Sequence, residues 1–269
     1  MIEVTFWGVR GTNPVSGRAF EKIGVHTSCV SVRVNQDPLI IFDAGSGLYD
    51  LGKAFPPSYP REMHILLTHL HLDHIMGLPF FRPLWDKKYI LNIYSDNSNV
   101  EEALKEKLLH PPFFPIRANS SNSNLVFHKI PMGATFPIES SVISTCPLNH
   151  PGGAMGYRLE AEGHSICYIT DVEHDPNFLD DIIVDFVKGA DLLIYDASYT
   201  EEEFENKRGW GHSTNIEAAK IAKAAGVKQL ALFHQNPTHD DHISDLMESQ
   251  AQSIFKNTIA AFQGLILQY

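Results

Sequence analysis

Three histidines and one aspartate fall within six consecutive positions, His69-Leu70-His71-Leu72-Asp73-His74. Imidazole and carboxylate are the usual ligands of zinc and similar divalent ions. His69 and His71 stand two apart, so on an extended segment they point the same way. Asp73 and His74 come on the following turn and can face a second point nearby. Two ligand pairs in so short a run suit two adjacent cations, and a solvated turn would assemble them by accident only rarely. Further candidates stand elsewhere: His150 in the turn Asn149-His150-Pro151-Gly152-Gly153, Asp171 after the apolar run Cys167-Tyr168-Ile169-Thr170, and His234 after Leu230-Ala231-Leu232-Phe233. Taken singly, polar residues at strand ends are commonplace. Taken together, they form a set whose side chains can converge on one crevice.

The elements that must position these residues read as short strands bounded by Gly, Pro, Asn or Asp. Strands are expected at 3–7, 28–34, 39–42 and 64–68, and again at 125–130, 142–146, 156–160, 165–170, 192–195, 229–233 and 265–267. Helices are expected at 100–109, at 213–225 with Gly226 as its stop, and at 241–256. The stretch 110–124, rich in Pro and then in Ser and Asn, reads as a long loop of the lid or binding kind. No linker or low-complexity stretch divides the sequence, so one domain over 1–269 is expected, with sheets at the centre and helices outside.

Composition narrows the function. The chain has 269 residues, 43% of them hydrophobic and 20% charged, which is ordinary globular material. Its 21 basic and 32 acidic residues give a net charge of −11, and no Lys/Arg cluster stands out. A protein that grips long nucleic acid by its phosphates normally carries a basic face, so the balance favours a small substrate. Bound cations would reverse the local field, so it does not forbid a polymer. Apolar runs are strand-sized, with none long enough to span a membrane. Residues 1–7 lack the features of a signal peptide and read as a first strand. The cysteines Cys29, Cys146 and Cys167 are scattered and odd in number, which fits a reducing cytoplasm.

The order H-x-H-x-D-H, then a distant His, an Asp and a last His, resembles the metallo-β-lactamase superfamily across essentially the whole chain. The resemblance implies an α/β (α+β) fold, a four-layer αββα sandwich, and two divalent ions, zinc or manganese. One ion would be held by His69, His71 and His150, the other by Asp73, His74 and His234, with Asp171 and a water or hydroxide between them. Asp43, in Phe42-Asp43-Ala44-Gly45-Ser46-Gly47, resembles the family's early aspartate that orients the metal loop. Gly8-Val9-Arg10-Gly11-Thr12 and Val25-His26-Thr27-Ser28-Cys29 resemble the phosphodiesterase branch. That branch includes phosphoribosyl cyclic phosphate phosphodiesterases, with tRNA 3′-processing endonucleases as relatives. Gly211-His212-Ser213-Thr214 resembles the His-Ser-Thr element in which the histidine protonates the leaving oxygen, here oriented by Asp196, where relatives often carry Glu.

Asp73, His212 and Asp196 are therefore the candidate catalytic residues, and Arg10 and His26, with Arg117, the candidate substrate contacts. The expected activity is hydrolysis of a phosphodiester in a small or cyclic, nucleotide-like compound. The alternatives are an RNA-processing nuclease, against which stand the acidic balance and the lack of a basic, glycine-rich arm, and a metal-binding accessory or sensor protein without catalysis. An ester or lactone hydrolase would leave the His212 element without a role, and His71 and His74 argue against a redox di-iron protein. His239 and His242, among Asp240, Asp241 and Asp245, read as a solvated helix start. Phe113 and Phe114 are candidates to stack on a base or cover the metals, and Pro79-Phe80-Phe81 is a candidate homodimer contact.

Overall fold

The computed structural model describes residues 1–56, 59–117 and 124–269, so residues 118–123 of the expected loop at 110–124 lie outside the described residues. The first half of the chain lays down strands β1 (Ile2–Gly8), β2 (Cys29–Val34), β3 (Leu39–Phe42), β4 (Glu62–Leu66), β5 (Ile90–Ser95) and β6 (Leu125–Lys129). The second half lays down β7 (Thr135–Ile138), β8 (Ser141–Leu148), β9 (Ala154–Ala161), β10 (His164–Ile169), β11 (Leu192–Asp196), β12 (Gln229–Phe233) and β13 (Thr258–Ala260). A last strand, β14 (Ile266–Gln268), returns to pair with β1. Among the described residues these make two seven-stranded sheets, ordered β14-β1-β2-β3-β4-β5-β6 and β13-β12-β11-β10-β9-β8-β7.

Both sheets begin antiparallel and end parallel: β3 through β6 run parallel in one, β10 through β13 in the other. The sequence encodes this directly. Central parallel strands are covered on both faces and must be apolar throughout, and β3 (LIIF) and β11 (LLIYD) are buried at every position. Connections between the parallel strands carry the helices: α1 (Leu48–Ala54), α2 (Leu72–Ile75), α3 (Val100–Glu102, continuing as a π-helical turn over Ala103–Leu108), α4 (Asp181–Phe186), α5 (Glu201–Glu205), α6 (Asn215–Ala225) and α7 (Asp241–Gln252).

Three apolar clusters define the layers. One lies between the sheets, with Phe6, Val32, Phe42, Tyr157, Tyr168 and Phe233. A second joins β10–β12 to α4, α6 and α7, and a third joins β3–β5 to α1 and the turns at Leu78–Phe80 and Arg82–Trp85. The result is the expected order of helices, sheet, sheet, helices.

The expected strands and the helix ending at Gly226 are present, the latter capped by the Thr214 side chain and stopped by Gly226 at φ 63°. Three strands escape the sequence reading: β5, β7 and β13. β7 carries Pro137, which removes a ladder donor and is tolerated because β7 is an edge strand. β13 is three residues long, too short for an alternating pattern to register.

Phe42 holds the sheets in register: its ring stacks on Tyr168 at 5.1 Å and meets Tyr157 at 5.7 Å. Phe42→Ala is expected to destabilise the protein by about 3–5 kcal/mol, read from guanidinium denaturation with an unchanged m-value. A loss under about 1 kcal/mol would mean the inter-sheet core does not depend on this contact.

Candidate metal centre and active site

Every side chain singled out above as a candidate ligand sits just beyond the carboxyl end of a strand, where α/β sheets place their ligand crevices. Asp43 follows β3, the His69–His74 run follows β4, His150 follows β8, Asp171 follows β10 and His234 follows β12, while Asp196 ends β11. Asp43, Asp171 and His234 have positive φ of 57°, 60° and 57°. Such left-handed backbone costs non-glycine residues energy and persists where the surroundings enforce it, often at functional sites.

The geometry brings the candidates into two groups that share one carboxylate. Ligand atoms of His69, His71, His150 and Asp171 lie within 4.8 Å of one another, as do those of Asp73, His74 and His234. Asp171 faces both groups. Its Oδ1 is 3.8 Å from His69 Nε2 and 3.7 Å from His150 Nε2, and its Oδ2 is 3.2 Å from His74 Nε2 and 3.3 Å from His234 Nε2. Asp73 Oδ2 completes the second group at 3.3 Å from both His74 Nε2 and His234 Nε2.

Four of the five imidazoles are aimed by their other nitrogen. His69 Nδ1 meets Thr68 Oγ1 at 3.0 Å, His74 Nδ1 donates to Asp43 at 2.8 Å, His150 Nδ1 donates to the Gly211 carbonyl at 2.8 Å, and His234 Nδ1 meets Ser198 Oγ at 3.1 Å. Metal-ligating histidines are ordinarily anchored in this way. Asp43 is fully buried and also accepts from the Thr68 N–H at 2.8 Å and the Tyr168 hydroxyl at 3.0 Å. It thus ties the β4 loop to the opposite sheet.

Close packing at the site admits only glycine at certain points. A Cβ on Gly11 would come within 2.3 Å of the His234 ring, and one on Gly211 within 2.3 Å of His150 Nδ1. Gly11 thereby lets the first loop close over the site, where the Thr12 N–H donates to Asp73 at 2.7 Å.

The donor set fits cations. His69 Nε2 is buried and, among the described residues, has no hydrogen-bond partner. His74 Nε2 and His234 Nε2 approach to 3.3 Å, where two lone pairs repel unless a proton or cation intervenes. Burial disfavours a charged imidazole at His74, but Asp171, Asp73 and Asp43 outweigh it and hold the ring well above its usual range. Burial likewise opposes ionisation of Asp73, and His74 and His234 outweigh it, so the carboxyl stays far below the ordinary value. Buried carboxylates here demand positive charge.

His212 lies beside this centre. Its Nδ1 donates to Asp196 Oδ2 at 2.9 Å, and the ring stacks on His234 with centroids 4.8 Å apart. Asp196 is fully buried and accepts further bonds from the Ser198 N–H and hydroxyl and the Asp171 N–H. Burial alone would lower the His212 pKa, but the Asp196 charge and hydrogen bond push it up to about 9. With Nδ1 engaged, Nε2 is left for a cavity of about 500 Å³ that His212 lines with His71, Asp73, His150 and Asp171.

Several expectations need correction. Arg10 is not a substrate contact: it is fully buried, with Nε donating to the Gly24 carbonyl at 2.9 Å and Nη1 to the His239 carbonyl at 2.6 Å. It clamps the first loop to the segment before α7. His26 is also occupied elsewhere, meeting Ser46 Oγ at 3.1 Å and Asp50 at 3.2 Å outside the cavity. His239 is buried rather than solvated and is bonded to Glu203 at 2.9 Å. Phe114 packs on Trp85 at 5.3 Å while Phe113 is exposed, Pro79 and Phe81 are buried while Phe80 is exposed, and Arg117 does not line the cavity. Among the described residues, no helix is long and apolar enough to cross a membrane, and all three cysteines are buried free thiols.

Sequence reading missed Glu173. Its carboxylate accepts from the Gly209 N–H at 2.8 Å and the Gly211 N–H at 2.7 Å, bracing the loop that carries the His150 acceptor and His212. Only its position two residues beyond Asp171 hinted at proximity.

The fold and site define a metallo-β-lactamase-fold protein, and a profile of the β-lactamase superfamily domain matches residues 39–235. The chain belongs to that superfamily. A ribonuclease Z of Porphyromonas gingivalis is 26% identical over 283 aligned positions, covering 84% of this chain and 88% of the relative. The metallo-β-lactamase fold protein YhfI of Bacillus subtilis superposes with a TM-score of 0.78 at 21% identity, covering 99% and 98% of the two chains. The short form of human tRNase Z superposes at 0.69 with 21% identity and the same coverage.

Adding zinc or manganese at about a hundredfold over Kd to metal-stripped protein is expected to raise Tm by roughly 5–10 °C. The shift should vanish in Asp171→Ala, and Asp43→Asn should weaken metal affinity about 10–100-fold in chelator competition. An unshifted wild-type melting curve would show that the cage holds no cation.

Proposed function

We propose that this chain is a phosphodiesterase that binds two divalent ions, zinc or manganese, and cleaves a phosphodiester of RNA. The observation that carries the catalytic part is the placement of Asp171. One carboxylate faces two ligand groups with separate oxygens, and a His–Asp pair stands alongside. Divalent ions bound there would lower the pKa of a water and neutralise charge on the phosphoryl oxygens.

The remaining steps belong to the chain's own residues. Asp43, Thr68, Ser198 and the Gly211 carbonyl fix the four anchored imidazoles, so the site needs little reorganisation when a phosphoryl group enters. A phosphodiester's alkoxide is a poor leaving group and needs a proton. His212 supplies it from Nε2, with Asp196 holding the ring and favouring its charged form. The aspartate that replaces the more usual glutamate reaches Nδ1 at 2.9 Å, so the shorter side chain does not break the pair.

RNA as substrate is supported by the name ribonuclease Z carried by the curated relative, which this chain matches over most of both lengths. A small or cyclic phosphodiester is the second reading. It is favoured by the net charge of −11 and by the alignment itself. That alignment runs over 283 positions but uses 84% of these 269 residues, so several tens of the relative's residues have no counterpart here.

With a dinucleoside phosphodiester, whose leaving alkoxide needs a proton, and manganese or zinc, His212→Ala is expected to lower kcat by about 10²–10⁴ while metal content stays at the wild-type level. Unchanged turnover would remove His212 as the acid. The substrate is settled by comparing a stem-loop RNA bearing a single-stranded 3′ trailer with a cyclic mononucleotide. The RNA is expected to have the higher kcat/KM, and an uncut RNA beside a hydrolysed cyclic nucleotide would establish the second reading.

A further inference from the structure

Trp210 stands at the rim of the catalytic cavity with 58% of its surface exposed, an uncommon position for an indole. Its exposure does not come from a slack loop. The flanking glycines Gly209 and Gly211 take positive φ of 83° and 86°, and both of their N–H groups donate to the single carboxylate of Glu173. Glu173 is fixed in turn by its backbone: its N–H donates to the Asn149 carbonyl at 2.8 Å, and its carbonyl accepts from Asn149 Nδ2 at 2.9 Å. The Trp210 N–H donates to the Lys207 carbonyl at 3.1 Å. Backbone on both sides of the indole is therefore clamped, and the same clamp sets the Gly211 carbonyl that orients His150.

Lys207 Nζ lies 3.9 Å from the Trp210 ring centroid, a cation–π contact, and Lys207 lines the cavity too. Among the described residues lining the cavity, it is the one side chain with a permanent positive charge. An exposed indole on a clamped backbone, with an ammonium over its ring and two residues from His212, matches a ligand with a flat ring next to a phosphate.

We propose that Trp210 is the stacking platform for a nucleobase adjoining the scissile phosphate, with Lys207 beside it for the anionic backbone. The substrate is then a nucleotide phosphodiester rather than a sugar or alkyl one. This rests on the phosphodiesterase reading above and deepens it. Stacking of a base on an aromatic side chain is sequence-tolerant, because every base has a π-face. The clamp keeps the ordering cost low, since the backbone that carries the ring is already held before ligand arrives.

The test measures binding of adenosine monophosphate and of ribose phosphate to the metal-loaded protein, by calorimetry and by tryptophan fluorescence. In the wild type, adenosine monophosphate is expected to quench fluorescence and to bind about tenfold more tightly than ribose phosphate. In Trp210→Ala the quench disappears and the two affinities become equal, while Trp210→Phe keeps most of the difference. Equal affinities in the wild type, absence of adenosine monophosphate binding, or an undiminished preference in Trp210→Ala would each overturn the proposal. Wild-type turnover of bis(p-nitrophenyl) phosphate separates the failures: if it persists, the platform alone is wrong, and if it is absent, the phosphodiesterase reading falls as well.

Discussion

Four carboxylates, those of Asp43, Asp73, Asp171 and Asp196, are taken out of water within one crevice. Burying an ionised carboxylate costs several kcal/mol even after relaxation, and that cost is met only by opposite charge and by hydrogen bonds of good geometry. Asp43 and Asp196 are met in full by donors from the chain, including backbone N–H groups, hydroxyls and one imidazole each. Asp73 and Asp171 face mainly histidine nitrogens, which can balance them with protons or can yield those positions to cations. The rest of the site follows from this division into two acids met by donors of the chain and two that face histidines.

The two sheets exist in the form they do because the acids must meet. Asp43 and the His69–His74 run come from the parallel half of one sheet, and Asp171, Asp196 and His234 come from the parallel half of the other. Phe42, adjacent to Asp43, stacks on Tyr168, and the Tyr168 hydroxyl donates to Asp43. One aromatic contact and one hydrogen bond therefore couple the apolar core to the polar crevice above it. Positive φ at Asp43, Asp171 and His234 fits the same picture, since each residue turns sharply off a strand to deliver its side chain inward.

Much of this was legible in the sequence because ligand chemistry restricts residue types and strands restrict position. The six-residue run declared itself by density alone, and His150, Asp171 and His234 by standing just past apolar strands. What escaped reading was whatever acts through the backbone. Glu173 braces two glycine N–H groups, a role that leaves no spacing signature. The Thr12 N–H reaches Asp73 through a loop that read only as a resemblance to the phosphodiesterase branch, and Arg10 in that loop was misread as a substrate contact. An arginine beside glycines resembles an anion site, yet here its guanidinium satisfies carbonyls that loop closure would otherwise orphan. His239 was read as solvated because acids surround it in sequence, whereas its partner Glu203 lies 36 residues away.

The central claim is that Asp171 joins two cation sites. Crystals grown with manganese and measured for anomalous scattering test it most directly. The account expects two peaks about 3.5–4 Å apart, one among His69, His71 and His150, the other among Asp73, His74 and His234, each within bonding distance of a different Asp171 oxygen. A single peak, or a cage occupied only by protons and water at saturating manganese, would contradict it.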